Sequence, residues 1–179
     1  MGGLLAISRG IDWLNERFGS LCDYMLAAAC FISAGNAFMR YAFSYSSNAY
    51  LEIQWYLFGA AVMLGASYTL KRNEHVRVDV VYGQLSDRGR LWVDLFGFIF
   101  FLLPVTLIML YLSLPFFGRS FASGEVSMNA GGLTLWPIKL MLPLGFFMLL
   151  LQTFSELIKR VAALAGAIEL ETKYSKPLQ

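Results

Sequence analysis

Four apolar stretches separated by short polar breaks set the layout of this chain. Residues 53–70 contain no Asp, Glu, Lys, Arg or His; such a run lies at the lower end of what a helix needs to cross roughly 30 Å of hydrocarbon. Ahead of it, residues 24–39 are charge-free between Asp23 and Arg40. Behind it, 95–118 form the longest run, and 140–155 the last, between Lys139 and Glu156. The pattern predicts an all-α membrane protein with four transmembrane helices at about 21–43, 52–71, 91–118 and 134–158. In the leading arm, 1–19, Leu4, Ile7, Ile11, Leu14 and Phe18 recur at helical spacing, with Arg9, Asp12, Glu16 and Arg17 turned elsewhere. That spacing predicts an amphipathic helix on the membrane surface, with Trp13 near the headgroups. A second surface helix, carrying Val78, Val81, Tyr82 and Leu85 after an extended His75-Val76-Arg77, is expected between spans 2 and 3. The tail, 161–179, is mixed in character.

Residues within and between the runs refine this picture. Ala29, Ser33 and Ala37 in span 1, and Ala61 and Gly65 in span 2, are small residues four apart, suited to close helix contact. Asn36 falls inside span 1 and is expected to find a hydrogen-bonding partner on another helix. Arg40 and Glu52 reach the same membrane face, where they either pair or both meet water. Trp55 and Tyr56 fit an interfacial aromatic belt. Ser86 is positioned to cap span 3, and Thr134 span 4. Pro104 should bend span 3 by removing a backbone hydrogen bond, and Pro115 should loosen its outer end. Asn129-Ala130-Gly131-Gly132 is loop chemistry. Lys139, just inside span 4 behind Trp136 and Pro137, should snorkel outward.

Composition agrees with lipid as the solvent. Hydrophobic residues make up 58% and charged residues 15%, with mean hydropathy +0.58, against about 25% charged in ordinary globular chains. The cations stand at the ends of apolar runs, not in a stripe interleaved with aromatics, which argues against nucleic acid as a partner. Eleven Lys and Arg residues fall in the arm, the central loop and the tail, and three (Arg40, Arg119 and Lys139) on the other side. This asymmetry places both termini in the cytoplasm. Lys71, Arg72, Arg88 and Arg90 then become candidate contacts for anionic lipid. Cys22 and Cys30 lie eight residues apart in one helix, about 12 Å, beyond disulfide reach. The arm lacks the apolar core of a cleavable signal, so span 1 is expected to act as its own insertion signal.

Candidate chemistry is sparse. Asp23, Glu52, Asp94 and Lys139 are all expected near span ends, leaving no ionisable group at a bilayer midplane, the usual place for a functional one. The single histidine, His75, lies outside the spans and rules out bis-histidine haem ligation within this chain. With Glu74 and Asp79 it is more simply a set of solvated loop charges than an acid–base group. No metal cluster or phosphate loop is visible, and no cofactor is implied. Nor is there an internal repeat of broken helices, the pointer to a self-sufficient secondary transporter.

Several motifs resemble those of one family. Asn36-Ala37-x-x-Arg40-Tyr41, Glu52-Ile53-Gln54-Trp55, Gly65-Ala66-x-Tyr68-Thr69-Leu70 and Arg72-Asn73-Glu74-His75-Val76-Arg77-Val78-Asp79 are similar to the small membrane subunit of TRAP (tripartite ATP-independent periplasmic) transporters. Asn129-Ala130-Gly131-Gly132-Leu133, Trp136-Pro137-x-Lys139 and Glu156-x-x-Lys159-Arg160 extend the resemblance over residues 21–160. It implies a periplasmic binding protein that delivers an organic acid and a large multi-span subunit that moves it with a sodium gradient. It also implies that the small subunit serves as a scaffold. The outer loop resembles the branch associated with keto acids and other monocarboxylates. On this reading Asn36, Arg40, Glu52, Trp55, Ala61, Gly65, His75, Arg77 and Asp79 are structural or partner contacts, and His75–Asp79 is a clamp between spans 2 and 3. Two other classes stay open: a proton-coupled exporter, for which Glu52 is the nearest approach to a deep carboxylate, and a membrane anchor for a redox complex.

Overall fold

The computed structural model describes residues 2–74, 82 and 84–169. Four long helices account for most of them: α1 (Gly2–Phe43), α2 (Asn48–Arg72), α3 (Asp87–Ser123) and α4 (Trp136–Leu164). They alternate in direction. α1, α2 and α4 pack against one another as a three-sided cluster, while α3 leans chiefly on α4. α4 therefore touches every other helix and is the most enclosed of the three apolar ones.

α1 corrects the expected surface arm. The helix runs unbroken from Gly2 to Phe43, about 63 Å at 1.5 Å per residue, with no turn between arm and span. Nothing in Arg17-Phe18-Gly19-Ser20 enforces a break: there is no proline, and Gly19 keeps helical geometry. The packed face also differs from the expected one. Ser8, Asn15, Gly19 and Cys22 are buried, whereas Leu4, Ile7 and Trp13 are exposed. The arm turns its small and polar stripe toward α4, with Leu4, Ile7 and Trp13 outward and Phe18 packed at the buried centre.

α2 begins with Ser47 accepting from the Ala49 amide and ends at Asn73 in a left-handed conformation, whose amide caps Leu70. α1, α3 and α4 are long and apolar enough to cross a membrane; α2, though 25 residues long, is not among them by composition. Its place explains the difference. Covered on two sides by α1 and α4, it carries Ser67 and Thr69 with their hydroxyls bonded to the carbonyls of Leu64 and Gly65.

In α3, Ser86 caps as expected, accepting from the Gly89 amide. The bend expected at Pro104 takes the form of a π-helical turn over Phe98–Leu102, in which the Leu103 amide reaches back to the Phe98 carbonyl. Widening the turn just before the proline accommodates its missing donor and its ring. The buried Thr106 hydroxyl adds bonds to the carbonyls of Leu102 and Leu103. Pro115 does not loosen the end, because the helix continues through it to Ser123. α4 starts later than expected: Thr134 pairs across the loop with Val126, Leu135 stands at the cap position without a side-chain bond, and Pro137 occupies the first turn.

Cys22, Ala61 and Leu64 form the buried centre, with Phe18, Met25, Met141 and Leu144 around it. Ala61 thus packs as expected. Gly65 is less tight, since a Cβ there meets only the Cys22 Sγ, at 3.8 Å. The closest backbone approach between helices is at Gly145, where a Cβ would lie 2.7 Å from the Met63 carbonyl oxygen. Gly145→Ala should therefore push α2 and α4 apart and lower stability by roughly 1–3 kcal/mol, while Gly65→Ala should be nearly neutral. Thermal unfolding of both variants in detergent checks this; equal melting temperatures would remove Gly145 as the contact point.

Candidate functional site: a polar lock at each end of the bundle

Charged and polar side chains gather at the two ends of the bundle. At the cationic end, where α1 begins and α4 finishes, Gln152, Ser155, Glu156, Lys159 and Arg160 follow one face of α4 at helical spacing. Gln152, Ser155, Glu156 and Arg160 are buried. Across from them α1 presents Ser8, Asp12 and Asn15. The Ser8 and Ser155 hydroxyls are 2.7 Å apart, and the Asn15 amide donates to Gln152 Oε1 at 2.7 Å. Gln152 donates in turn to Asp12 and to Glu156, each at 2.9 Å. Asp12 also accepts from Ser155 at 2.9 Å and pairs with Lys159 at 3.0 Å.

The same cluster reaches α3. Arg160 donates from Nε to Asp94 at 2.9 Å, pairs with Glu156 one turn back, and lies 4.4 Å from the centre of the Phe98 ring. Tyr82 donates to the second Asp94 oxygen at 3.1 Å. Phe98 begins the π turn, so the distortion made for Pro104 lies directly beneath the Arg160 guanidinium. Beside this lock, Glu16 of α1 pairs with Lys71 and with Arg72, the latter at 3.2 Å, and the Tyr68 ring packs closely against Gly19. The buried pairs of Arg160 with Asp94 and Glu156 contribute little net stability, yet losing one partner leaves a charge uncompensated. Their effect is to fix the height and rotation of α1 and α3 against α4.

The opposite end is organised by Glu52. The residue is buried at the start of α2, and its carboxylate accepts from three points of the loop joining α3 to α4: the Ser127 hydroxyl, the Asn129 side-chain amide at 2.7 Å and the Leu133 backbone amide at 2.8 Å. The loop is shaped to offer them. Gly131 has φ +71°, in the left-handed region, and at Gly132 a Cβ would lie 2.5 Å from the Ser127 carbonyl oxygen. Ser127 and Gly132 amides close the turn onto the carbonyls of Leu133 and Asn129. Lys139 reaches out of α4 to Glu125 in the same loop, as its expected snorkelling requires. The Lys139 ammonium holds the Glu125 carboxyl below its usual range, so this pair is intact above the ordinary glutamate pKa and weakens only as acid reaches the lowered one.

The expected contact residues divide accordingly. Glu52 does not pair with Arg40, which is exposed and lies 5.8 Å from the ring of Tyr41; the loop donors have taken the carboxylate. Asn36 is half-buried and accepts from Ser46 in the α1–α2 connection at 3.4 Å, not from another helix. Trp55 faces outward at 69% exposure. Lys71 and Arg72 are drawn into the Glu16 pair, Arg90 bonds to the Tyr82 carbonyl and to Asp87, and Arg88 is exposed. His75, Arg77 and Asp79, with Val78 and Val81 of the second surface helix, lie outside the described residues, as does the tail from 170 onward. Sequence reasoning missed Ser8, Asp12, Asn15, Gln152 and Ser155. The signal was present as Ser8-x3-Asp12-x2-Asn15-x3-Gly19 on one helix, facing Gln152-x2-Ser155-Glu156-x2-Lys159 on the other.

The fold is thus a helical bundle with three helices long and apolar enough to cross a membrane, whose internal polar groups join helix to helix and loop to helix. Residues 26–163 match the family described as tripartite ATP-independent periplasmic transporters, DctQ component, and the chain belongs to that family, the small TRAP transporter component. The family is one of transporter components, not of enzymes. No individual curated protein matches the chain. The first 25 residues, with Ser8, Asp12 and Asn15, precede the matched region.

The lock at the cationic end predicts strong coupling between helices. Asp94→Leu, which leaves Arg160 with one carboxylate, should cost about 3 kcal/mol, and Arg160→Met a similar amount. The double variant should cost clearly less than the two together. Chemical denaturation of the four proteins measures this. Strict additivity would mean that the pair is not coupled.

Proposed function

We propose that this chain is the small scaffold subunit of a sodium-coupled, binding-protein-dependent importer of organic acids in the bacterial inner membrane. It would work beside a large multi-span subunit and receive nothing directly from the periplasmic binding protein's cargo. The observation that carries the reading is the family match, together with the use of internal polar groups for bracing: Glu52 holds a loop, and Asp12, Asp94, Glu156, Lys159 and Arg160 hold helices. A carrier must keep polar groups available for its substrate at mid-depth. A brace need only fix geometry.

In this arrangement all four helices span the bilayer, α2 included, because its polar residues are sheltered by α1 and α4. Both termini are cytoplasmic, following the eleven-to-three distribution of Lys and Arg. The cationic end then meets the anionic leaflet, with Arg88 and the exposed part of Arg72 available to lipid headgroups. Glu52 and its loop face the periplasm and support the surface on which the binding protein docks. Monocarboxylates, keto acids among them, are the proposed substrates.

Reconstituted alone in liposomes with an inward sodium gradient, this chain should give no uptake of any carboxylate. Adding the large subunit and loaded binding protein should give uptake, and leaving this chain out should abolish it or reduce it at least tenfold. Uptake by the chain alone would return the exporter reading; full uptake without it would end the scaffold role.

A further inference from the structure

The pairing of α1 with α2 fixes how deep each residue of α1 lies. Glu16 meets Lys71 and Arg72, Gly19 receives the Tyr68 ring, and Cys22 faces Gly65. Each step of three along α1 is a step of three back along α2, as antiparallel helices require. Asp23 therefore stands level with Leu64. That residue is six positions inside the end of the charge-free run 53–70, about 9 Å at 1.5 Å per residue. With α2 spanning, as in the proposed arrangement, this register sets the Asp23 carboxylate inside the apolar slab and not at the interface where the charge-free run alone would put it. The length of α1 agrees. The charge-free stretch 24–39 gives only about 24 Å of helix, short of roughly 30 Å of hydrocarbon, so a spanning α1 draws a residue at one end into the slab, and the register against α2 selects Asp23.

At that depth an ionisable group ordinarily faces the bundle interior and has a partner. Asp23 does neither within this chain. It is exposed, and it makes no hydrogen bond or ion pair among the described residues. Nor can it reach water as lysine and arginine do by extending a long stem, because a single methylene does not cover 9 Å. The surface around it is shaped for a helix. Ala27, Cys30 and Ala34 continue the Asp23 face at intervals of four, three and four residues, and all are exposed. Small side chains in such a row let another backbone come close. Neither α2 nor α4 occupies that row, and the family membership means that other membrane-embedded protein is at hand.

We propose that the Asp23–Ala34 face of α1 is covered by a helix of the large membrane subunit, which brings a basic or hydrogen-bond-donating side chain to the Asp23 carboxylate. This rests on the reading of the chain as the small subunit of a transporter complex. Charge complementarity selects the occupant: a lipid tail offers a buried carboxylate nothing, and a second copy of the same face would set two carboxylates against each other.

The test co-expresses the full-length chain with its large subunit. Asp23→Asn and Asp23→Leu should each reduce co-purification at least tenfold, while the isolated variants melt no lower in detergent than the parent. Undiminished co-purification of both variants, with the parent chain binding well, overturns this inference and leaves the scaffold reading standing. Failure of the parent chain itself to co-purify removes both. Depth is checked separately with Asp23→Cys in a Cys22→Ala, Cys30→Ala background. A membrane-impermeant maleimide should label it at least tenfold more slowly than Arg9→Cys; equal labelling would place position 23 in water and overturn the proposal.

Discussion

A helix already surrounded by lipid gains little by exchanging one apolar neighbour for another, so burial of apolar surface cannot hold a membrane bundle together as it holds a water-soluble core. Close packing and polar contacts must do it, and this chain places them distinctly. Between the ends the contacts are small and tight: Gly145 against the Met63 backbone, Gly19 under Tyr68, Ala61 beside Cys22 and Leu64. At the ends they are polar. Glu52 gathers the α3–α4 loop, and the Asp94–Arg160–Glu156 chain ties α3 to α4, while Asp12 and Lys159 add α1.

That division suits a brace. Pairs of opposite charge that are also hydrogen-bonded to their neighbours resist rotation and sliding far better than they add stability. α4 is the post to which the other helices are fixed, and the faces of α1 and α3 turned away from it remain available to lipid or to protein. Large exposed apolar residues on α3, such as Phe100, Ile108, Tyr111 and Leu112, are ordinary for a surface in hydrocarbon. An exposed carboxylate level with Leu64, which the proposed four-span arrangement sets inside the hydrocarbon, is not, and it separates the two kinds of face.

Much of this was legible in the residues. The four apolar runs gave the four helices, because length and hydropathy in lipid leave little choice. The Ser86 cap, the outward reach of Lys139 and the need for an adjustment at Pro104 followed from local chemistry. The arm was misread because its apolar residues suggested the packed face, when its partner helix offers Gln152, Ser155 and Glu156 and so selects the polar stripe instead. Glu52 was seen as a charge at a boundary, since a single sequence does not show that a loop 75 residues onward will fold back over it. The depth of Asp23 was hidden for a related reason. Charge-free runs mark where a helix can lie, but only its register against α2 shows which residues of the two helices stand level.

The most direct measurement is amide hydrogen exchange across residues 126–133, in the parent chain and in Glu52→Ala. If Glu52 holds the loop as part of the rigid scaffold, the Leu133 amide should exchange as slowly as the interior of α2 and α4, and Glu52→Ala should release it by at least about tenfold while the helices stay protected. Fast exchange of Leu133 in the parent chain, or exchange indifferent to Glu52, would contradict the account.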